Sequence, residues 1–568
     1  MRKKQDVGKP MDIILVLTIF ATMLSLILFV VFPLIRVAIQ SFVSFDGTVS
    51  GKAYIQAFAS EENFKALTHS LVLGFTSAAL STAIGFIFAY CASYIKMRGK
   101  SIFNLIAMLP IVSPPFAVAL SIILLFGSRG LITYTLLGLR DVNIYGFRGL
   151  LFAQTLSYFP IAYLLLNGVL SSIDPSIEEA SRNMGGSRGK TFLHVTLPLA
   201  LPGIANSFLL VFIKSVADFG NPITIGGNYQ TLATQIYYQA IGNYDMQGGA
   251  AVAILLLLIS MSLFAMSKLW VEKKTFVTIT GKAARKRDMI SEKHIAIPLN
   301  TCCYIISFVV IALYILIPLV SFVKLWGIDY TFTLENYRYA FNVGKKSLRD
   351  STIMAALATP VTGILAMIIA FLVVRKKFFG RKAMEFISML GMTVPGTVMG
   401  IGYVLSFNTP PIAITGTMLI IVLSYVFRYL PVGVQSGLTS LKQIDPAIEE
   451  AASDLGANSF KTFVTITLPL IKTAFFGGLV YTFVKSMTSV SAVIFLVSAR
   501  YKLLTVSILD QVDSGKFGVA SAMSTMLIII VYVAIAILYR FIGLLGVNQR
   551  TSPQSSKVRC SHNVLHSV

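Results

Sequence analysis

The sequence specifies an all-α polytopic membrane protein of about twelve transmembrane helices, built as two six-span parallel repeats. Three features lead there. Of 568 residues, 55% are hydrophobic and only 12% charged, where soluble proteins carry roughly 45–50% and about 25%. Twelve apolar stretches are each long enough to cross about 30 Å of hydrocarbon as a helix. The two halves repeat each other at a fixed offset of 271 residues. With a mean hydropathy of +0.77, lipid is the main solvent, so the backbone must satisfy itself in helices. Disordered, fibrous and ordinary cytosolic chains are excluded.

The stretches fall near 12–35, 67–95, 101–126, 147–170, 201–222, 249–271, 300–325, 350–374, 385–407, 412–437, 473–497 and 519–545. The first follows Arg2, Lys3, Lys4 and Lys9. It is too long for a signal h-region and has no small-residue cleavage site, so it reads as a retained span. Pro114-Pro115 and Pro395-Gly396, with Gly400 and Gly402, break the third span of each half. Broken helices often border a pathway.

Orientation follows from the basic residues. Of the 47 Lys and Arg, 29 fall on the side that holds both termini and 14 on the other. The first side is therefore cytoplasmic. The net charge of +23 belongs to that asymmetry; no aromatic-interleaved basic domain points to nucleic acid. Cys91, Cys302, Cys303 and Cys560 have neither metal-site nor disulfide spacing.

The repeat is gapless from about 157 to 251. Tyr158 and Pro160 face Tyr429 and Pro431, Asp174-Pro175 faces Asp445-Pro446, and Phe212, Lys214 and Ser215 face Phe483, Lys485 and Ser486. Identity at a fixed offset over this length marks a duplication. An even number of spans per half makes the repeats parallel. The chain divides into a first domain (1–271), a basic cytoplasmic linker (272–296), a second domain (297–550) and a polar tail (551–568).

The most informative stretches are the cytoplasmic loops 171–200 and 442–472. Each encodes a short helix. Asp174 and Asp445 are N-caps, with Pro175 and Pro446 at the first helical position. Glu178, Glu179, Glu449 and Glu450 lie in the early turns, where the helix dipole favours negative charge. Gly185 and Gly456 fit left-handed stops. Ile177, Ala180 and Met184 share one face, as do Ile448, Ala451 or Ala452, and Leu455. A helix this short is marginal alone in water and needs a surface to pack against.

Glu179-Ala180-Ser181 and Gly185, followed by Val195, Leu197 and Pro198, resemble the EAA loop of permeases of binding-protein-dependent ABC importers. Glu450-Ala451-Ala452, Gly456, Ile466, Leu468 and Pro469 match it in full. The first copy departs by Ser181 and Val195. The resemblance covers nearly the whole chain as two fused permease domains of the type I importer fold. It implies that the loops are coupling helices for two ABC ATPase subunits. It also implies that an extracytoplasmic solute-binding protein delivers the solute, and that ATP and Mg sit on the partner ATPase, with no cofactor on this chain. Ala217-Asp218-Phe219-Gly220-Asn221-Pro222, then Gly226-Gly227, look most like ferric-iron permeases. Relatives for 2-aminoethylphosphonate, thiamine, polyamine and sulfate are close kin.

No nucleotide site is expected on the chain itself. Gly189-Lys190-Thr191 has Met184 where a phosphate-binding loop needs its first Gly, and Gly99-Lys100-Ser101 has Tyr94 there. No catalytic constellation is apparent, so the chain does not read as an enzyme. An ion-coupled secondary transporter is the rival of another class; it needs a relay of intramembrane acids, for which only Asp218 is a candidate.

Charges within spans are expensive and mark candidate pathway residues. They are Lys214, Asp218, Arg428 and Lys485, with Ser215 and Ser486 beside the lysines. Lys214 and Asp218, four apart, are expected to neutralise each other on one helix face. Lys485, with Ser489 in place of the acid, is then the stronger candidate to face the solute. The orientation is testable: single cysteines at Ser187 and Asn458 should resist membrane-impermeant thiol reagents in intact cells. Labelling of either from outside contradicts the twelve-span topology.

Overall fold

The computed structural model describes residues 13–43, 47–97, 99–271, 287, 289–457 and 459–544. Among them ten helices are long and apolar enough to cross a bilayer unbroken, and two bent pairs bring the total to twelve. The first half holds Ile13–Gln40, Glu61–Tyr94, Pro115–Leu136, Phe147–Ser172, Arg188–Val216 and Met246–Leu269. The second holds Lys293–Ser321, Glu335–Arg375, Arg381–Thr393 with Gly396–Phe407, Met418–Lys442, Phe460–Leu470 with Ala474–Met487, and Phe517–Arg540. A short antiparallel ribbon, Val323–Leu325 with Asp329–Phe332, is the one sheet among the described residues. Most of the expected linker 272–296 up to residue 286, the tail 551–568 and Asn458 lie outside the described residues.

The third span of each half is broken where expected, and the fifth span of each half stops earlier than expected. The stretch 101–126 is a short helix, Lys100–Val112, followed by a crossing helix that starts at Pro115. Pro114 and Pro115 remove two successive N–H donors there. Its counterpart bends by 113° between Thr393 and Gly396. The fifth span runs straight out of the cytoplasmic loop from Arg188 and stops at Val216, not at 222. The eleventh bends by 78° between Leu470 and Ala474 and stops at Met487, not at 497. Asp218 therefore lies beyond the end of its helix, and the expected pairing with Lys214 does not form.

Small residues set the helix packing, since apolar side chains gain little by leaving lipid for one another. A Cβ on Gly85, in the second span, would lie 2.7 Å from Ala162 Cβ on the fourth. In the second half the glycine has changed sides: a Cβ on Gly433, in the fourth span, would lie 2.8 Å from Ala366 Cβ on the second. The pairing also reveals that the repeat offset is 281 residues across the second and third spans. Gly99 and Gly380, both with positive φ (70° and 85°), open the helices at Lys100 and Arg381 on that offset.

Gly85→Ala should lower the thermal stability of the detergent-solubilised protein, because overpacking a tight contact costs about 1–3 kcal/mol. Adding Ala162→Gly should recover most of the loss, reproducing the second half's arrangement. Absence of recovery in a melting experiment contradicts this account of the helix contact.

Candidate functional site

Two places carry the expected residues: the loop helices and a cavity between the halves. The first loop helix is Pro175–Asn183 and the second is Ala447–Asp454. Asp174 Oδ1 accepts from Ser176 N at 2.9 Å, and Asp445 Oδ1 accepts from Ala447 N at 3.0 Å. That backbone hydrogen bond holds the Asp174 carboxyl below the usual carboxylate range. Gly185 and Gly456 take φ of +88° and +83°, as expected of stops. Gly186 N bonds Ser181 O and Ala457 N bonds Ala452 O, both at 3.0 Å, closing the same C-terminal motif in each copy.

The two acids of each loop point to different surroundings. Glu178 is buried, and its Oε1 accepts from Tyr94 Oη at 2.8 Å and Thr196 Oγ1 at 2.6 Å. Arg287 Nε lies 3.3 Å from its Oε2. Glu449 has a side chain 12% exposed; its Oε1 accepts from Arg375 Nε at 3.0 Å and Thr467 Oγ1 at 3.2 Å. The neighbouring Glu450 is exposed and Glu179 half-exposed. Leu197 and Leu468 are half-buried and Pro198 and Pro469 exposed at the start of the following span. The helix widens to a π turn just before them, with Leu197 N bonding Phe192 O and Leu468 N bonding Phe463 O. Each π turn carries the threonine that meets the buried glutamate.

The apolar side of each loop helix faces outward. Ile177, Ala180 and Met184 are exposed, as are Ile448, Ala451 and Leu455, whereas Ala452 is buried. Met184 is 84% and Leu455 89% exposed, although they occupy equivalent positions in the two copies and are apolar.

A cavity of about 630 Å³ lies between the halves, lined from both by the breaks of the third spans and by the fourth and fifth spans. Lys214, Asp218, Arg428 and Lys485 all line it. Lys485 Nζ donates to Ile111 O, in the other half, at 3.0 Å. That carbonyl would normally accept from the N–H four residues on, which is Pro115 and has none. Arg428 Nη2 lies 3.3 Å from Ser491 Oγ, and its guanidinium passes over Gly396, where a Cβ would come within 2.6 Å of Nη2. Lys214 lines the same cavity as Arg428 and Lys485 and has no hydrogen bond or ion pair among the described residues.

Asp218 is saturated locally. Its Oδ2 accepts from Gln154 Nε2 at 3.0 Å and Asn221 Nδ2 at 2.8 Å, and its Oδ1 from Gly220 N at 3.1 Å. The expected ranking of the lysines is thereby reversed: Lys485 is tied to backbone, and Lys214 is the uncommitted cation. Ser215 and Ser486 are buried beside the cavity rather than lining it; Ser215 donates to Gln154 Oε1.

Sequence reasoning missed Tyr94, Thr196, Arg287, Arg375 and Thr467. The two threonines carried a usable signal, standing at matched positions immediately before Leu-Pro in both copies. Arg287 sits in a basic run indistinguishable by composition from a solvated linker.

Comparison with known proteins agrees with the repeat. Residues 81–276 and 362–550 each match the model of a family described as "Binding-protein-dependent transport system inner membrane component". Over 557 residues the chain is 38% identical to the ferric transport system permease protein FbpB of Actinobacillus pleuropneumoniae, covering 95% of this chain and 80% of that one. A putative ferric transport system permease protein of Haemophilus influenzae, FbpB 1, is 38% identical over 502 residues, 86% of this chain and 79% of its own. A solved bacterial alginate ABC transporter, in complex with its pentasaccharide-bound periplasmic protein, aligns with a TM-score of 0.41 and 16% identity over 47% of this chain and 97% of that one. With two family matches that together cover most of its length, this chain belongs to the binding-protein-dependent transport system inner membrane components, as a multi-pass permease holding both repeats in one polypeptide.

Proposed function

We propose that this chain forms the membrane pathway of an ATP-driven importer of ferric iron, carried as a complex with oxyanion ligands. The observation that carries the solute class is the cavity, into which both halves bring cations. A trivalent ion about 4 Å from a single lysine is repelled by roughly 12 kcal/mol at an effective dielectric of 20. A naked ferric ion is excluded on that ground, and so is a polyamine. An anion, or a metal wrapped in oxyanions, is drawn in. Iron in particular is supported by the 38% identity to ferric transport permeases over most of the chain.

The loop helices are the coupling elements in this reading. Two ABC ATPase subunits, each holding ATP and Mg, cover the exposed faces around Met184 and Leu455. Closure of the ATPases on ATP draws the two helices together, and the halves rock about the cavity between them. Both termini and both loops lie on the cytoplasmic side, in keeping with the charge bias. An extracytoplasmic binding protein delivers the loaded solute from the other side. An ion-driven mechanism finds no support in Asp218, whose oxygens are already occupied by Gln154, Asn221 and backbone.

Lys214→Met keeps the chain length and removes the uncommitted charge. Iron uptake in cells should fall about tenfold, the equivalent of about 1.4 kcal/mol, while the amount of protein in the membrane holds. Unchanged uptake removes Lys214 from the pathway, and a polyamine found on the partner binding protein overturns the anion reading outright.

The coupling role is tested at the second loop. Gly456→Val forces a β-branched residue into positive φ at a cost of roughly 1 kcal/mol or more, and Glu450→Lys reverses an exposed charge. Both should leave the protein inserted but abolish stimulation of ATP hydrolysis by the loaded binding protein. Survival of uptake and stimulation in both variants contradicts the assignment.

A further inference from the structure

The two loops are anchored at equivalent acceptors but by arginines of different origin. In the second half Arg375, the last helical residue of the second span, reaches Glu449 through Nε at 3.0 Å. Its Nη2 donates to Leu441 O at 3.0 Å and to Ile444 O at 2.8 Å, the carbonyls that end the fourth span. In the first half the last helical residue of the second span is Tyr94. A tyrosine reaches the carboxylate of Glu178 but has no second donor for the carbonyls.

Those carbonyls are nonetheless taken. Leu170 O and Ile173 O, the repeat equivalents of Leu441 O and Ile444 O, accept from Arg287 Nη1 at 3.1 Å and Nη2 at 2.8 Å. The same guanidinium sits 3.3 Å from Glu178 by its Nε and lies over the Tyr94 ring at 3.9 Å. Arg287 comes from the segment joining the two halves, not from the first half's bundle. The segment is fastened beside it. Ile290 N donates to Tyr94 O at 2.7 Å, Lys96 N donates to Ile290 O at 3.1 Å, and Glu292 pairs with Arg188 of the loop at 2.7 Å. From Lys293 the chain runs directly into the first span of the second half.

We infer that Arg287 is a positioning residue for coupling: it replaces, from the interdomain segment, the arginine that the first half lacks, and it locks the first loop helix to its bundle. The inference rests on the reading of the loops as coupling elements. A planar fork suits the site, because Nη1 and Nη2 donate to two carbonyls while the charge stays 3.3 Å from the Glu178 carboxylate. The join between the halves is on this account part of the coupling apparatus and not a passive tether. The first loop helix is held by the segment that begins the second half, whereas the arginine that holds the second comes from its own half.

The test uses the full chain assembled with its ATPase and loaded binding protein. Arg287→Gln should speed amide hydrogen exchange across 176–185 by about tenfold or more, as expected when a buried pair loses one member, and leave 447–455 unchanged. Arg375→Gln should do the converse. Tyr94→Arg added to Arg287→Gln places the arginine where the second half has it, and should restore both slow exchange and stimulated ATP hydrolysis. Arg287→Lys, which keeps the charge but not the fork, should loosen the loop partially and serves if the glutamine variant does not accumulate. Unaltered exchange across 176–185 in both Arg287 variants, or no restoration by Tyr94→Arg, overturns the inference. A loop that loosens and is rescued while ATP stimulation stays normal throughout supports the anchor and refutes the coupling role of the loop instead.

Discussion

A carboxylate withdrawn from water has to be met by donors, and at the foot of each bundle one such carboxylate dictates what surrounds it. Glu178 and Glu449 sit in the first turn of short helices that could not hold themselves in water. Each is met by a threonine on a π turn of the following span and by an arginine that also closes the last carbonyls of the fourth span. Three separate pieces of chain are thereby tied at one point. The loop helix becomes an extension of the bundle, with its apolar side turned outward. Removing one member of such a pair leaves an uncompensated buried charge, so the tie is strong in the sense that matters for a moving part.

The two halves preserve contacts in sum rather than residue by residue. The close approach of the second and fourth spans needs one glycine, which is Gly85 in the first half and Gly433 in the second. At the break of the third span, Pro115 packs against Gly220, while Gly396 leaves room for Ser491 and Arg428. The arginine under the loop is Arg375 in one half and Arg287 in the other. The pseudo-symmetric cavity is consequently not symmetric in charge: the repeat equivalent of Arg428 is Ser157, and that of Asp218 is Ser489. The net positive charge on the cavity wall therefore comes from Arg428 and Lys485 of the second half, while in the first half Lys214 shares the wall with the one acid, Asp218, which is turned to its own neighbours.

Features with local causes were legible in the sequence. Span number and order, the Asp-Pro starts of the loop helices, the Gly185 and Gly456 stops, and the Pro114-Pro115 break all follow from residues within one or two turns of the feature. Features that depend on where a helix stops, or on what reaches it from afar, were not. The helix carrying Lys214 ends at Val216 and not at 222, and that early stop puts Asp218 off the expected face and into a cluster with Gln154 and Asn221. The partner of Lys485 is a backbone carbonyl 374 residues away, freed by a proline whose consequence only the fold locates. The shift of the repeat offset from 271 to 281 hid the correspondence of Tyr94 with Arg375, and with it the reason for Arg287.

The central claim is that each loop helix moves as a rigid part of its half because its buried glutamate is anchored. Spin labels at Met184 and Leu455, on the outward faces of the two loop helices, measure this in the assembled importer. The account predicts a narrow distance distribution that shifts shorter as a whole when ATP binds. It further predicts a broadened distribution that no longer shifts once Glu178→Gln and Glu449→Gln are introduced together. A distribution that stays equally narrow and shifts equally far in that double variant would contradict it.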